Sequence, residues 1–177
     1  MRFDYLKERE DSVGSSRNIL GIDPGPTNCG VVIYDAAEKR VIASHKALPV
    51  EECVGLIEDN ACTKTVGLVA IERVQSYGIA GASLLRTAEV GGRIYQCAWR
   101  EGMPACWLYR REVLRGLDVT GKGNRDSLVR QRLIEMHGGA RRAAMGTKQA
   151  PGPLYGVASH AWAALAVAVV AGVGVGR

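Results

Sequence analysis

The sequence predicts one α/β domain on a mixed sheet of about five strands. Three observations carry that expectation. Three β-rich runs follow one another near the N-terminus, helix-like and strand-like segments alternate after them, and two apolar runs each stop on an acid. A chain of 177 residues is long enough for one domain to bury roughly 70% of its unfolded surface without staples.

Ile19 to Asp23 reads as a buried strand, and "PGP" supplies a turn because proline fixes φ and glycine permits the reversal. Cys29 to Asp35 and Arg40 to Leu48 are β-rich and separated by "AAEK", so a hairpin and then a meander are expected. Pro49 to Ala61 has a helical period, with Val50, Cys53, Val54 and Ile57 on one face. Val66 to Ile71 is the next strand. Ala82 to Glu101 predicts a long helix with Leu84, Leu85, Ala88, Ile94, Tyr95 and Ala98 inward, and its Gly91-Gly92 pair invites close packing or a kink. A short strand from Ala105 to Tyr109 and a short helix from Arg111 to Leu117 come next. After the loop "DVTGKGN", Asn124 is placed to cap a helix reaching about His137. "GGARRAAMGTKQAPGPLYG" reads as a long basic loop, and the last helix is expected from near Val157. Meander followed by alternating units gives the mixed α/β sheet. The domain is expected over residues 18–177, with residues 1–17 a charged tail lacking a clear period.

Lys and Arg number 23 against 18 Asp and Glu, and the excess is local: Trp107 to Lys148 holds ten basic residues against four acids. Such a surface suits a polyanion, nucleic acid first, and is also what a solvated helix face looks like. The five cysteines are odd in number and never spaced as CxxC, which argues against a zinc site or a disulfide framework. With no signal-like N-terminus, the expected setting is a reducing cytoplasm. The apolar C-terminal run is short and rich in Ala and Gly, so a buried helix is expected there and no membrane span.

Asp23 and Glu72 then stand at strand ends. If their strands are neighbours, the two carboxylates converge, and converging carboxylates suit a hard cation such as Mg²⁺, which takes oxygen ligands and keeps waters. Divalent ions in such a site assist phosphodiester hydrolysis. Each residue alone has a plainer use: Asp23 can cap "DPG", Glu72 can pair with an arginine, and His160 can pack or cap the last helix. Ala163 and Ala164, one turn beyond His160, leave an open face.

Four segments in order, "ILGIDPGPTNCGVVIYD", "VAIERVQSYG", "VTGKGNRDSLVRQRL" and "PLYGVASHAWAALAVAV", resemble the RuvC family of Holliday-junction resolvases, in a phage-type branch. The resemblance covers about residues 18 to 170. It implies an RNase H-like fold, a homodimer, a Mg²⁺ or Mn²⁺ cofactor, and paired nicks in a four-way DNA junction that leave 5′-phosphate and 3′-hydroxyl ends. By motif, the catalytic and metal positions fall on Asp23, Glu72 and His160. The family usually carries another acid where this chain has Ala163. Two accounts fit: a substitution that leaves DNA bound but uncut, or a branch that builds its site without that acid. Asp126 is a conceivable replacement, although an acid in the first turn of a helix is also favoured by the helix dipole.

The resemblance supports the "TGKGN" loop as a DNA contact most directly. Gly121, Lys122, Gly123 and Arg125 are candidates there, since glycines let the backbone approach phosphate. Arg73, Arg110, Arg111, Arg141, Arg142 and Lys148 are further candidates. Where bacterial relatives carry an aromatic wedge, this chain has Gln75, with Tyr77 the nearest ring. The long helix, with Ala88, Val90, Gly91 and Gly92, is the expected dimer face. Two other readings share the motifs: an RNase H-fold nuclease acting on a different substrate, and an ATP-binding protein whose first phosphate loop resembles "GIDPGPTNCGV". The latter needs a second Asp-Gly loop, and the sequence has none.

Overall fold

A computed structural model describes residues 17–76, 78–121 and 123–175. Tyr77, Lys122 and, apart from Arg17, the expected N-terminal tail lie outside the described residues.

Five strands, β1 (Asn18–Asp23), β2 (Asn28–Asp35), β3 (Arg40–Pro49), β4 (Leu68–Arg73) and β5 (Ala105–Tyr109), form one sheet in the order β3-β2-β1-β4-β5. The first three strands pair antiparallel, as the meander predicts, and β4 and β5 join parallel to β1. Among the described residues, six helices complete the order: α1 (Val50–Thr63), α2 (Ala82–Arg100), α3 (Arg110–Gly116), α4 (Arg125–Met136), α5 (Arg141–Met145) and α6 (Ala161–Val175). The expected mixed five-strand sheet flanked by helices is therefore what the chain forms.

Successive residues on a strand point to opposite faces, and the buried residues sort accordingly into two cores. Ile19, Val32, Tyr34, Leu68, Ala70 and Leu108 face α6, α3 and α4, whereas Leu20, Ile22, Val31, Val69 and Ile71 face α1 and α2. The central strands are apolar on both faces because helices cover both. Helix α6 has Ala161, Ala164, Leu165, Ala166, Val167 and Ala168 fully buried, which is why its sequence shows no polar face. No described helix is long and apolar enough to cross a membrane.

Gly21 explains how α6 comes so close. A Cβ at Gly21 would lie 2.2 Å from the Ala164 carbonyl oxygen, so only glycine lets the helix backbone rest on β1.

Several expectations need correction. Leu85 and Ala88 of α2 are exposed, and Thr87, Val90 and Cys97 take inward places beside Ile94 and Ala98. The inward face of α2 is set by what packs on it rather than by its leucines. Helix α2 runs unbroken through Gly91-Gly92, and Gly91 packs against Trp107, where an added Cβ would sit 3.2 Å from the ring. The supposed loop after α4 contains the short helix α5, tied down by buried Ala144 and by a hydrogen bond from Leu154 N–H to the Ala144 carbonyl. Helix α6 starts at Ala161, because Ser159 takes φ +48° and interrupts any helix from Val157. All five cysteines are free, as expected.

Candidate active site

The two strand-end acids do converge. Ile22 of β1 pairs with Ile71 of β4, so Asp23 and Glu72 leave neighbouring strands at one rim. Strand parity decides the rest. Asp23 follows Ile19 and Gly21, and Glu72 follows Leu68 and Ala70, on the face that α6 covers. Both carboxylates therefore point toward the start of α6. In β5, Glu72 pairs with Leu108, and Arg110, two residues further on, reaches the same rim on the same face.

His160 is held at this rim by backbone proximity. A Cβ on Gly30 of β2 would lie 2.5 Å from the His160 carbonyl oxygen, so glycine is required for that approach. The His160 side chain is exposed, with Nδ1 3.7 Å from Asp23 Oδ2; that is a contact, too long for a hydrogen bond. Asp126 comes from the opposite wall. Asn124 caps α4 by accepting hydrogen bonds from Asp126 N–H at 3.0 Å and Ser127 N–H at 3.4 Å, which fixes Asp126 in the first turn.

These residues line one open cleft of about 400 Å³, with Asp23, Glu72, Arg110, Asp126, His160 and Ala163 on its walls. Arg110 lies between the acids: its guanidinium pairs with Asp126 Oδ1 and stands 3.7 Å from Glu72 Oε1. Burial pushes the Asp23 carboxyl up to about 6, opposed by Arg110 and reinforced by Asp126. Burial also pushes Glu72 up to about 7, with the Asp23 charge adding to it and Arg110 opposing. Two largely buried acids whose charged forms are disfavoured first by burial form a region where a cation is stabilised.

The expected ligand trio is brought to one cleft but is not preassembled. Among the described residues, no three His, Cys, Asp or Glu side chains stand close enough to hold an ion as they are. The donor set still fits a hard divalent cation, which needs few protein oxygens and keeps waters of its own. Asp23 and Glu72 would supply those oxygens.

The candidate DNA contacts divide into three groups. Arg73 stacks on Trp107 at 5.7 Å and Tyr109 at 5.3 Å, and Arg111 lies 5.2 Å from the Tyr109 ring. Gly121 and Gly123 adopt φ +124° and +138°, conformations that favour glycine, and Arg125 opens α4 in an exposed position. Gln75 is exposed just past β4; Arg141, Arg142 and Lys148 are exposed around α5. None of these lines the cleft. Among the described residues, Arg110 is its basic side chain, a place that sequence reading missed by treating Arg110 as one of a pair with Arg111. Arg110 directly follows β5, and only the pairing of β5 beside β4 brings it to the cleft.

No protein-family model matches the chain. It is similar to the crossover junction endodeoxyribonuclease RuvC of Saccharopolyspora erythraea, 29% identical over 122 residues, covering 60% of this chain and 59% of that protein. It is likewise similar to the RuvC of Rhodococcus opacus, 30% identical over 124 residues, covering 61% and 62%. The chain thus spans about three fifths of the length of the curated relatives it matches. Among solved structures it is similar to Thermus thermophilus RuvC in complex with a Holliday-junction substrate, with TM-score 0.60, 19% identity, and coverage of 86% of this chain and 91% of that one. The fold is that of RuvC, and the likeness to RuvC read from the four motifs, though not the phage-type branch, is matched by these relatives.

Proposed function

We propose that the chain is a structure-selective endodeoxyribonuclease that resolves four-way DNA junctions by paired symmetric nicks. One observation carries this reading: Asp23 and Glu72 leave adjacent strands on one face and share a cleft with His160. The names of the curated relatives, and the junction bound by the Thermus neighbour, agree with it.

A divalent cation, Mg²⁺ or Mn²⁺, would supply Lewis acidity and an activated water when bound. The chain's own residues do the rest. Asp23 and Glu72 hold the charge that recruits the cation. His160, exposed at the cleft mouth beside Asp23, exchanges a proton with the water or the leaving oxygen. The loop of Gly121 to Arg125, with Lys122, lies along the backbone, and the stacked Arg73 and Arg111 hold phosphates beside Glu72. Gln75, exposed just past β4, faces the junction centre, and Tyr77 is the ring nearest to it in the sequence. Arg141, Arg142 and Lys148 contact the outer arms. Two copies related by α2, through exposed Ala88 and Gly92 of the expected face, since Val90 and Gly91 are buried within the protomer, would set two clefts against opposing strands. DNA in the cytoplasm of a bacterium or phage-infected host is the substrate.

Ala163 favours a second reading, in which the protein holds junctions without cutting them. A strand-resolved assay on end-labelled four-way junction, linear duplex and RNA–DNA hybrid, in Mg²⁺ and Mn²⁺, separates the two. Paired nicks restricted to the junction support the resolvase. Binding without nicks, restored by Ala163→Asp, supports the non-cutting reading. No preference for the junction overturns both.

A further inference from the structure

Resting on the resolvase reading, we infer that Arg110 is a catalytic residue: its guanidinium supplies, as a fixed positive charge, what the missing acid at position 163 would otherwise recruit as a second ion. Three observations support it. Ala163 lines the cleft and offers no ligand there. Arg110 is a first-turn residue of α3 at the rim, its helix start fixed by the Tyr109 N–H donating to Glu112 Oε2 at 2.7 Å. Its guanidinium is braced by Asp126 on one side and Glu72 on the other, and is partly open to the cleft.

Charge balance argues for the same role. Asp23, Glu72 and Asp126 bring three negative charges to the cleft and Arg110 one positive charge, so one divalent ion neutralises the remaining two. A second ion would find no ligand at position 163. Arginine suits the task because it stays protonated and its planar fork meets phosphate oxygens in pairs. Asp126 is then a positioning residue: it holds the guanidinium between the acids without touching substrate. This places Arg110 at the reacting phosphate rather than along the DNA backbone. In the step, the water oxygen bonds to phosphorus while the bond from phosphorus to the 3′ oxygen breaks. That oxygen leaves with the electron pair and takes up a proton while the attacking water gives one up; His160 exchanges one of the two, and solvent exchanges the other. Arg110 exchanges no proton; it stabilises charge growing on the non-bridging oxygens.

The test joins single-turnover junction cleavage to a count of bound Mn²⁺ by electron paramagnetic resonance on the full chain. Expected are one Mn²⁺ per protomer in the wild type and a fall of about 100-fold in cleavage for Arg110→Gln, the scale of losing one fixed donor to a transition-state oxyanion. Junction binding is kept, and Arg110→Lys recovers part of the rate. Asp126→Asn shows a smaller fall that excess Mn²⁺ does not repair. The double variant Arg110→Gln/Ala163→Asp binds two Mn²⁺ ions, a readout that holds whether or not the wild type cuts. Two Mn²⁺ ions in the wild type, one in the double variant, or undiminished cleavage by Arg110→Gln overturns the inference. Failure of every variant to prefer the junction overturns the resolvase reading instead, and leaves the ion count to decide on Arg110.

Discussion

The two faces of the sheet are built from the same kinds of strand residue yet end differently. On the α1/α2 face, alternate strand positions carry Leu20, Ile22, Val69 and Ile71, and the helices close over them. Its charges stay outside, in exposed pairs such as Arg93 with Glu51 and Arg100 with Glu58. On the α6 face, small residues bring an apolar helix close to β1, and the next positions along the strands are acids. One face stops in solvent and the other in a cleft. Chemistry follows from that parity: moving each acid by one residue would turn it to the α1/α2 side.

The comparison can be broken most strongly at the acids. Asp23→Asn or Glu72→Gln is expected to lower junction cleavage by about 1000-fold or more in single-turnover assays while leaving junction binding intact, since several kcal/mol of transition-state stabilisation would depend on the ion they are proposed to hold. On the other face, Ile57→Ala removes a fully buried side chain. It should cost about 2–5 kcal/mol in denaturant unfolding and leave the cleavage rate unchanged where the protein stays folded.

The acids also set a pH dependence in the absence of metal. Their folded values, about 6 and about 7, lie above the ordinary 3.8 and 4.5. The folded chain therefore holds more protons than the unfolded one in that interval, and this pair's contribution is full below about pH 4 and lost as pH rises through 6 to 7. Melting curves at pH 4.5 and pH 8 should show the double variant Asp23→Asn/Glu72→Gln gaining on the wild type at pH 8, by on the order of 2 kcal/mol. No gain would mean that burial does not disfavour the charged forms of the two acids. Smaller again is Gly30→Ala, which crowds the His160 carbonyl. It should slow cleavage about 10-fold by displacing the rim and lower the melting temperature as well, because the clash is with backbone. Least of all, Arg93→Ala removes a fully exposed ion pair and should alter neither melting nor cleavage measurably.

Much of this was legible in the sequence because it depends on local pattern. The meander, the strands ending in Asp23 and Glu72, and the Asn124 cap all follow from neighbours in the chain. The inward face of α2 was not legible: Thr87 and Cys97 are buried by what packs on them, and Leu85 is left exposed. Nor was the position of Arg110, since only the pairing of β5 beside β4 brings it between Glu72 and Asp126. Helix α5 and the late start of α6 depended on contacts of Ala144 and on a positive φ at Ser159, which composition does not reveal.

The most direct test of the contrast between faces is a nuclear magnetic resonance titration of the ¹⁵N-labelled chain with substoichiometric Mn²⁺, whose paramagnetism broadens nearby amide signals. The account predicts that signals of Asp23, Gly30, Glu72, His160 and Ala163 vanish first, while those of Ile57 in α1 and Ile94 in α2 persist. Broadening centred on the exposed acids of α1, Glu51 and Glu58, or spread evenly over the chain, would contradict it.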